Sequence, residues 1–210
     1  MQRLALVGDS ILDNHQYVAP DPDTTAHLRA ALGAGWTVEL LARDGSTMRD
    51  LEHQLAGLTA KADVGILNIG GNDSVDHIGL LDPRVASSAE ILDQLLAIAE
   101  AFAESYRIAL GIVRQSVNRL VVCTIYEPPL IDPETARLAR VPLSLLNDRI
   151  VREALRAGVD VLDLRTVCTS DADFVKEIEP SPTGAKKIAD AIRGVLLQAP
   201  NGPSVRVFAV

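Results

Sequence analysis

Aromatic side chains are scarce: three Phe, three Tyr and one Trp make up 3 % of the 210 residues. The core must therefore be built from Leu, Ile, Val and Ala, and no aromatic platform for stacking a sugar stands out. Cysteine is nearly absent as well. Cys123 and Cys168 form no C-x-x-C pair, which excludes a zinc ribbon or thioredoxin-like site and reads as two buried thiols. No other spacing of His, Cys, Asp and Glu suits a metal, so neither metal nor cofactor is expected. Basic residues are outnumbered, 20 against 28 acidic ones, for a net charge of −8. That balance argues against a nucleic-acid backbone or an anionic membrane surface as partner. No apolar run approaches the ~18 residues of a membrane span. The run from Arg3 to Val7 is too short for the apolar region of a signal peptide and has no cleavage site after it, so a cytoplasmic location is expected. Phosphate-cradling glycine motifs are missing, as is the Gly-x-Ser-x-Gly nucleophile elbow.

What is present is an alternation. Short apolar runs at Leu4–Val7, Thr37–Ala42, Val64–Ile69, Leu120–Ile125 and Val159–Leu164 read as strands. Most are apolar almost throughout, the mark of strands buried on both faces of a parallel sheet. Helical patterns fill the gaps. One spans Thr24 to Leu32, starting at Thr24 or Thr25 as cap. A second is capped by Ser46 or Thr47 and buries Met48, Leu51, Leu55 and Leu58. The longest runs from about Val85 to Val117, and others cover Leu143 to Ala157 and Pro182 to Leu197. The order predicts a three-layer α/β fold with right-handed crossovers. At ~150 residues per domain the length suits one domain, 1–198, with a tail at 199–210. The tail's Ser204–Val210 has strand character and suits an edge strand, on this chain's sheet or on another's; the oligomeric state stays open.

In such sheets ligands bind outside the carboxyl ends of the strands. Ser10 follows the first strand on a sharp turn and offers a hydroxyl and a backbone N–H. Acyl transfer needs such a nucleophile and donors aimed at the developing oxyanion. Gly45 ends the second strand with no side chain to block its N–H. Asn72 follows two glycines after the third strand, and its amide can donate to the same oxygen. Each residue also has a plainer reading: Ser10 as a helix cap, Gly45 as a turn glycine, Asn72 as a loop stabiliser and Asp9 as a loop brace through backbone hydrogen bonds.

Gly8-Asp9-Ser10-Ile11-Leu12-Asp13 resembles the first conserved block of the SGNH (GDSL) hydrolases. Gly45 looks like the glycine of the second block, and Gly70-Gly71-Asn72-Asp73 like the Gly-x-Asn-Asp of the third. Pro180-Ser181-Pro182-Thr183-Gly184-Ala185 is similar to the segment that follows the catalytic His in the fifth. The resemblance runs from residue 4 to about 197. It implies a flavodoxin-like, five-stranded parallel sheet of order 2-1-3-4-5 and hydrolysis of small acyl esters by a serine hydrolase. The fifth block of that family reads Asp-x-x-His-Pro. Here Lys176 stands in place of its Asp and Glu179 in place of its His. Glu179 becomes the candidate base, with His77 and His15 as alternatives that follow strand ends. Glu179 can also be read as a solvated or helix-capping carboxylate, and the two histidines, like His27 and His53, as surface residues. Two outcomes follow: an esterase with a non-standard base, or an inactive relative that keeps the pocket and binds an acyl or carboxylate group. Loss of the base in a Ser-His-Asp system removes about 10⁶ in kcat, so an active enzyme needs the substitute.

Overall fold

The apolar runs become the central strands because both of their faces are covered. In a computed structural model, which describes residues 1–78, 87–198 and 206–209 (side chains of 76–78 excepted), the elements in chain order are β1 (Gln2–Gly8), α1 (His15–Val18), α2 (Thr24–Leu32), β2 (Trp36–Leu40), α3 (Leu51–Leu55), β3 (Ala62–Asn68), α4 (Gly71–Ile78), α5 (Ser88–Ser116), β4 (Val117–Cys123), α6 (Pro133–Ala157), β5 (Asp160–Leu162), β6 (Phe174–Val175), β7 (Glu179–Pro180), α7 (Pro182–Leu197) and β8 (Val207–Phe208). Along β1, Ala5 and Val7 join the hydrophobic cluster under α3, α5 and α6, whereas Leu4 and Leu6 join the one under α2 and α7. Successive side chains point to opposite faces, so both parities must be apolar.

The main sheet is parallel, in the order β2-β1-β3-β4-β5-β8. It has six strands rather than five. The sixth, β8, pairs Val207 with Val161 and Phe208 with Leu162 on the outer side of β5. The first five follow the order 2-1-3-4-5. A separate antiparallel pair, β6–β7, lies between β5 and α7 in the chain.

Local chemistry sets the helix starts. Asp23, not Thr24 or Thr25, caps α2, accepting from the Ala26 N–H at 2.6 Å. Thr47 opens a 3₁₀ turn at Met48–Asp50 through a reciprocal capping box with Asp50, and α3 follows. Ser87 caps α5, whose inner face carries Ile98, Phe102, Tyr106, Leu110 and Val113. The expected start of that helix at Val85 falls outside the described residues. α6 begins at Pro133 rather than at Leu143, capped by Asp132 with Pro133 in its first turn. Its first two turns are mostly exposed and carry no apolar stripe, so periodicity alone misses them.

Because β1, β3 and β4 are neighbours, the loops after them lie side by side. The segments starting at Asp9, Ile69 and Thr124 therefore share one end of the sheet, and α6 runs over that end.

Candidate active site

Ser10 sits on a turn that only glycine can enter. Gly8 has a φ of +137°, and a Cβ there would lie 1.6 Å from the carbonyl oxygen of Asn68. The Asp9 N–H donates to that same oxygen at 3.1 Å. The Asp9 carboxylate accepts from the Ile11 N–H at 3.2 Å, and the Asp9 carbonyl accepts from the N–H groups of Leu12 and Asp13. Asp9 thus braces the turn from both of its polar ends. Its carboxyl group is buried, which pushes its pKa up to about 8. The Ile11 N–H pulls the other way, and the charges of Glu179, Asp73 and Asp44 add to the rise.

Glu179 reaches Ser10 from the far end of the chain, carried by the β6–β7 hairpin. The hairpin turns at Lys176 and Glu177, both at positive φ. Two side chains fix it to the rest of the site. The Tyr126 hydroxyl donates to the Ile178 carbonyl at 2.6 Å, and Asn14 Nδ2 donates to the Pro180 carbonyl at 3.2 Å. Asn14 is itself buried and accepts from the Thr24 N–H, so it links the segment after Ser10 to that carrying Glu179. The Glu179 side chain is 7 % exposed. Burial pushes its pKa up, the nearby Ser10 hydroxyl pulls it down, and the Asp44 charge raises it again. Its second oxygen, Oε2, is buried with no hydrogen-bond partner among the described residues.

A third loop, Gly45 to Met48, is clamped by side chains from two other segments. Asn72 Nδ2 donates to the Ser46 carbonyl at 2.8 Å. The Asp73 carboxylate accepts from the Met48 N–H at 3.2 Å. Gln54, buried on α3, donates to the Ser46 hydroxyl at 2.9 Å and to the Gly8 carbonyl at 2.8 Å, and accepts from the Gly8 N–H at 2.9 Å. One amide therefore holds the end of β1, just before Ser10, and the glycine loop at a fixed spacing.

Ser10, Asn72 and Glu179 line one cavity of about 170 Å³ whose other walls are largely apolar, from Ile125, Leu130, Leu143 and Ile178 among others. Gly45 is not in that lining. It lies exposed in its turn at φ +74°, on the loop that Asn72 holds. His15 is not brought to Ser10. It is exposed on α1 and paired with Asp23 at 3.3 Å. His77 belongs to α4, and its side chain lies outside the described residues. Lys176 sits in the exposed hairpin turn, outside the cavity lining. Among the described residues no group of three or more His, Cys, Asp and Glu could hold a metal, and no helix is long and apolar enough to cross a membrane.

Sequence reasoning passes over Asn14, Gln54 and Asn147. Asn147 is buried on α6 and makes paired hydrogen bonds to Ile125, accepting from its N–H at 2.8 Å and donating to its carbonyl at 2.7 Å. The signal is present for two of them. Gln54 falls between Leu51 and Leu55, and Asn147 beside Leu143, Leu146 and Ile150, each a polar amide on an apolar helix face. Such a residue is retained where a backbone needs a partner.

The chain resembles many solved structures in fold. A member of the lipolytic G-D-S-L family from Veillonella parvula DSM 2008 superposes with a TM-score of 0.71 at 12 % identity, over 95 % of this chain and 100 % of the other. Phospholipase A1 from Streptomyces albidoflavus NA297 gives 0.67 at 18 % identity, over 92 % and 98 %. An acetylxylan esterase from Geobacillus stearothermophilus gives 0.68 at 17 % identity, over 94 % and 95 %. No curated protein sequence matches significantly. The family model of the GDSL-like lipases and acylhydrolases matches residues 6–187, spanning the Ser10 turn, the glycine loop, the Asn72 segment and Glu179. On that match, the chain belongs to the GDSL-like lipase/acylhydrolase family.

Proposed function

We propose that this chain is a serine ester hydrolase for a small acyl ester, with Glu179 in the role of base. The observation that carries this reading is that Ser10 and the buried Glu179 carboxylate share the wall of one largely apolar cavity. Ser10 Oγ attacks the acyl carbon and its proton passes to Glu179. The carbonyl oxygen becomes an oxyanion, met by the Ser10 N–H and the second N–H of the Asn72 amide, whose first is committed to Ser46. Collapse breaks the bond to the alcohol, which leaves with the proton from Glu179. Water then attacks the acyl-serine, again giving its proton to Glu179, and the carboxylic acid departs as Ser10 recovers its own.

A free glutamate at ~4.3 is a weak acceptor for a serine proton. Desolvation brings Glu179 closer to the working pH, where a general base is most effective. The sign of the pH effect follows. Only the ionised carboxylate accepts a proton, so activity rises with pH through the raised pKa of Glu179, at a higher pH than an ordinary carboxylate would set.

The test is hydrolysis of a chromogenic short-chain ester by the wild type, Ser10→Ala and Glu179→Gln. The expected result is turnover in the wild type and at least ~10³-fold losses in both variants, with the acid limb of the pH profile absent from the residual activity of Glu179→Gln. Equal activity in Ser10→Ala and the wild type would remove Ser10 as nucleophile. A Glu179→Gln enzyme with unchanged rate and pH profile would remove Glu179 as base.

A further inference from the structure

We propose that the cavity beside Ser10 is an acyl-chain site for a straight, saturated chain of about six carbons, and that Ala139 and Ala136 of α6 set its depth. The inference rests on the reading of Ser10 as the acyl acceptor and adds the length and shape of the group it accepts. A cavity of about 150 Å³ lined by aliphatic side chains admits one six-carbon ring, and this one measures about 170 Å³. Its exposed lining is mostly apolar, with Ile125, Leu130, Leu143 and Ile178 presenting aliphatic surface beside a minority of polar groups that includes Ser10, Asn72 and Glu179.

The far end is set by α6. The helix turns Ala136, Ala139, Arg140 and Leu143 toward the cavity, and two of these four carry only a methyl group. Larger residues at those positions would occupy the space the chain needs. Arg140 and Glu127, paired at 3.6 Å, line the same cavity. A longer chain would have to strip water from that ion pair, which is costly without compensation. The cavity therefore sets an upper limit on length as well as a preference for apolar groups. The apolar cavity suits the part of the substrate that remains on Ser10 through both half-reactions, whereas the alcohol must leave.

The experiment uses the full chain and three series of probes. In the first, p-nitrophenyl esters from acetyl to dodecanoyl are hydrolysed. The expected kcat/KM rises about fourfold per methylene up to hexanoyl or octanoyl, then flattens or falls. In the second, acetate esters of alcohols of increasing length are expected to show no comparable optimum. In the third, 2-alkanones, carbonyl compounds with no leaving group, are expected to raise the melting temperature most near 2-heptanone. In Ala139→Leu the ratio of hexanoyl to acetyl kcat/KM should drop at least tenfold, with the 2-alkanone optimum moving to shorter chains.

An acetyl optimum or a flat acyl series with Ser10-dependent turnover would overturn the proposal and leave the hydrolase reading standing. So would an unchanged ratio in Ala139→Leu. An optimum confined to the alcohol series would overturn the assignment of the cavity to the acyl group. A 2-alkanone optimum without hydrolysis of any ester would support the chain site and remove the hydrolase reading. Absence of both would overturn the two together.

Discussion

Asp9 lies directly before Ser10 and is buried, and among the described residues the Ile11 N–H meets its carboxylate. A buried carboxyl so sparsely partnered is cheaper to keep neutral than charged. In the unfolded chain it titrates near 3.8, and in the folded protein near 8. The native state therefore holds the extra proton between those values. The stability this contributes is complete below the unfolded pKa and is lost as pH rises toward 8. Asp9→Asn keeps the shape and an acceptor for Ile11 but cannot ionise. Melting temperatures measured from pH 4 to pH 8 should fall more steeply for the wild type than for Asp9→Asn, across the window its pKa values define. Asp160, Asp163 and Glu153, held low by arginine partners, act with the opposite sign. They are common to both proteins and cancel in the difference. Parallel curves for the two proteins would show that Asp9 stays ionised when folded.

At the scale of elements, the site is assembled by buried amides that bridge loops. Gln54 joins α3 to both Gly8 and the Ser46 loop, and Asn147 ties α6 to the loop after β4. Gln54→Ala strands two backbone groups of Gly8 and is expected to cost about 2–4 kcal/mol in urea denaturation. It should also lower kcat, because Ser10 and the glycine loop lose their common support. A stability change under 0.5 kcal/mol, within the ordinary range for surface substitutions, would rule out that bridging role.

The same elements mark where the sequence is readable. Ser10, Asn72 and the strands before them are legible because a parallel sheet has continuous apolar strands and places its ligands at their carboxyl ends. Glu179 is legible only by its position before Pro180. Nothing local announces the hairpin that carries it, since Lys176 and Glu177 take positive φ without being glycine, asparagine or aspartate. The start of α6 is hidden for a related reason. Its cap is present at Asp132, but its first turns face solvent and the cavity rather than the core.

At the scale of the whole molecule, the tail completes the sheet. The Val161 and Asp163 N–H groups donate to the carbonyls of Arg206 and Phe208 at 2.9 and 2.8 Å. Arg206 also pairs with Asp160 at 2.7 Å, beside Arg119. Truncation after Gln198 should lower stability by about 1–3 kcal/mol in chemical denaturation, and it exposes the outer edge of β5 as a new pairing surface. An unchanged midpoint would mean that β8 does not contribute to the sheet in solution. The β6–β7 hairpin stands in another relation to the molecule. Among the described residues it shares no strand pairing with the main sheet, and Tyr126 and Asn14 anchor it from outside. Ser10 is thus built into the main sheet's scaffold, whereas Glu179, its proposed proton acceptor, is carried by a separate hairpin. A change of residue at the Glu179 position leaves the strand pairing of the main sheet untouched.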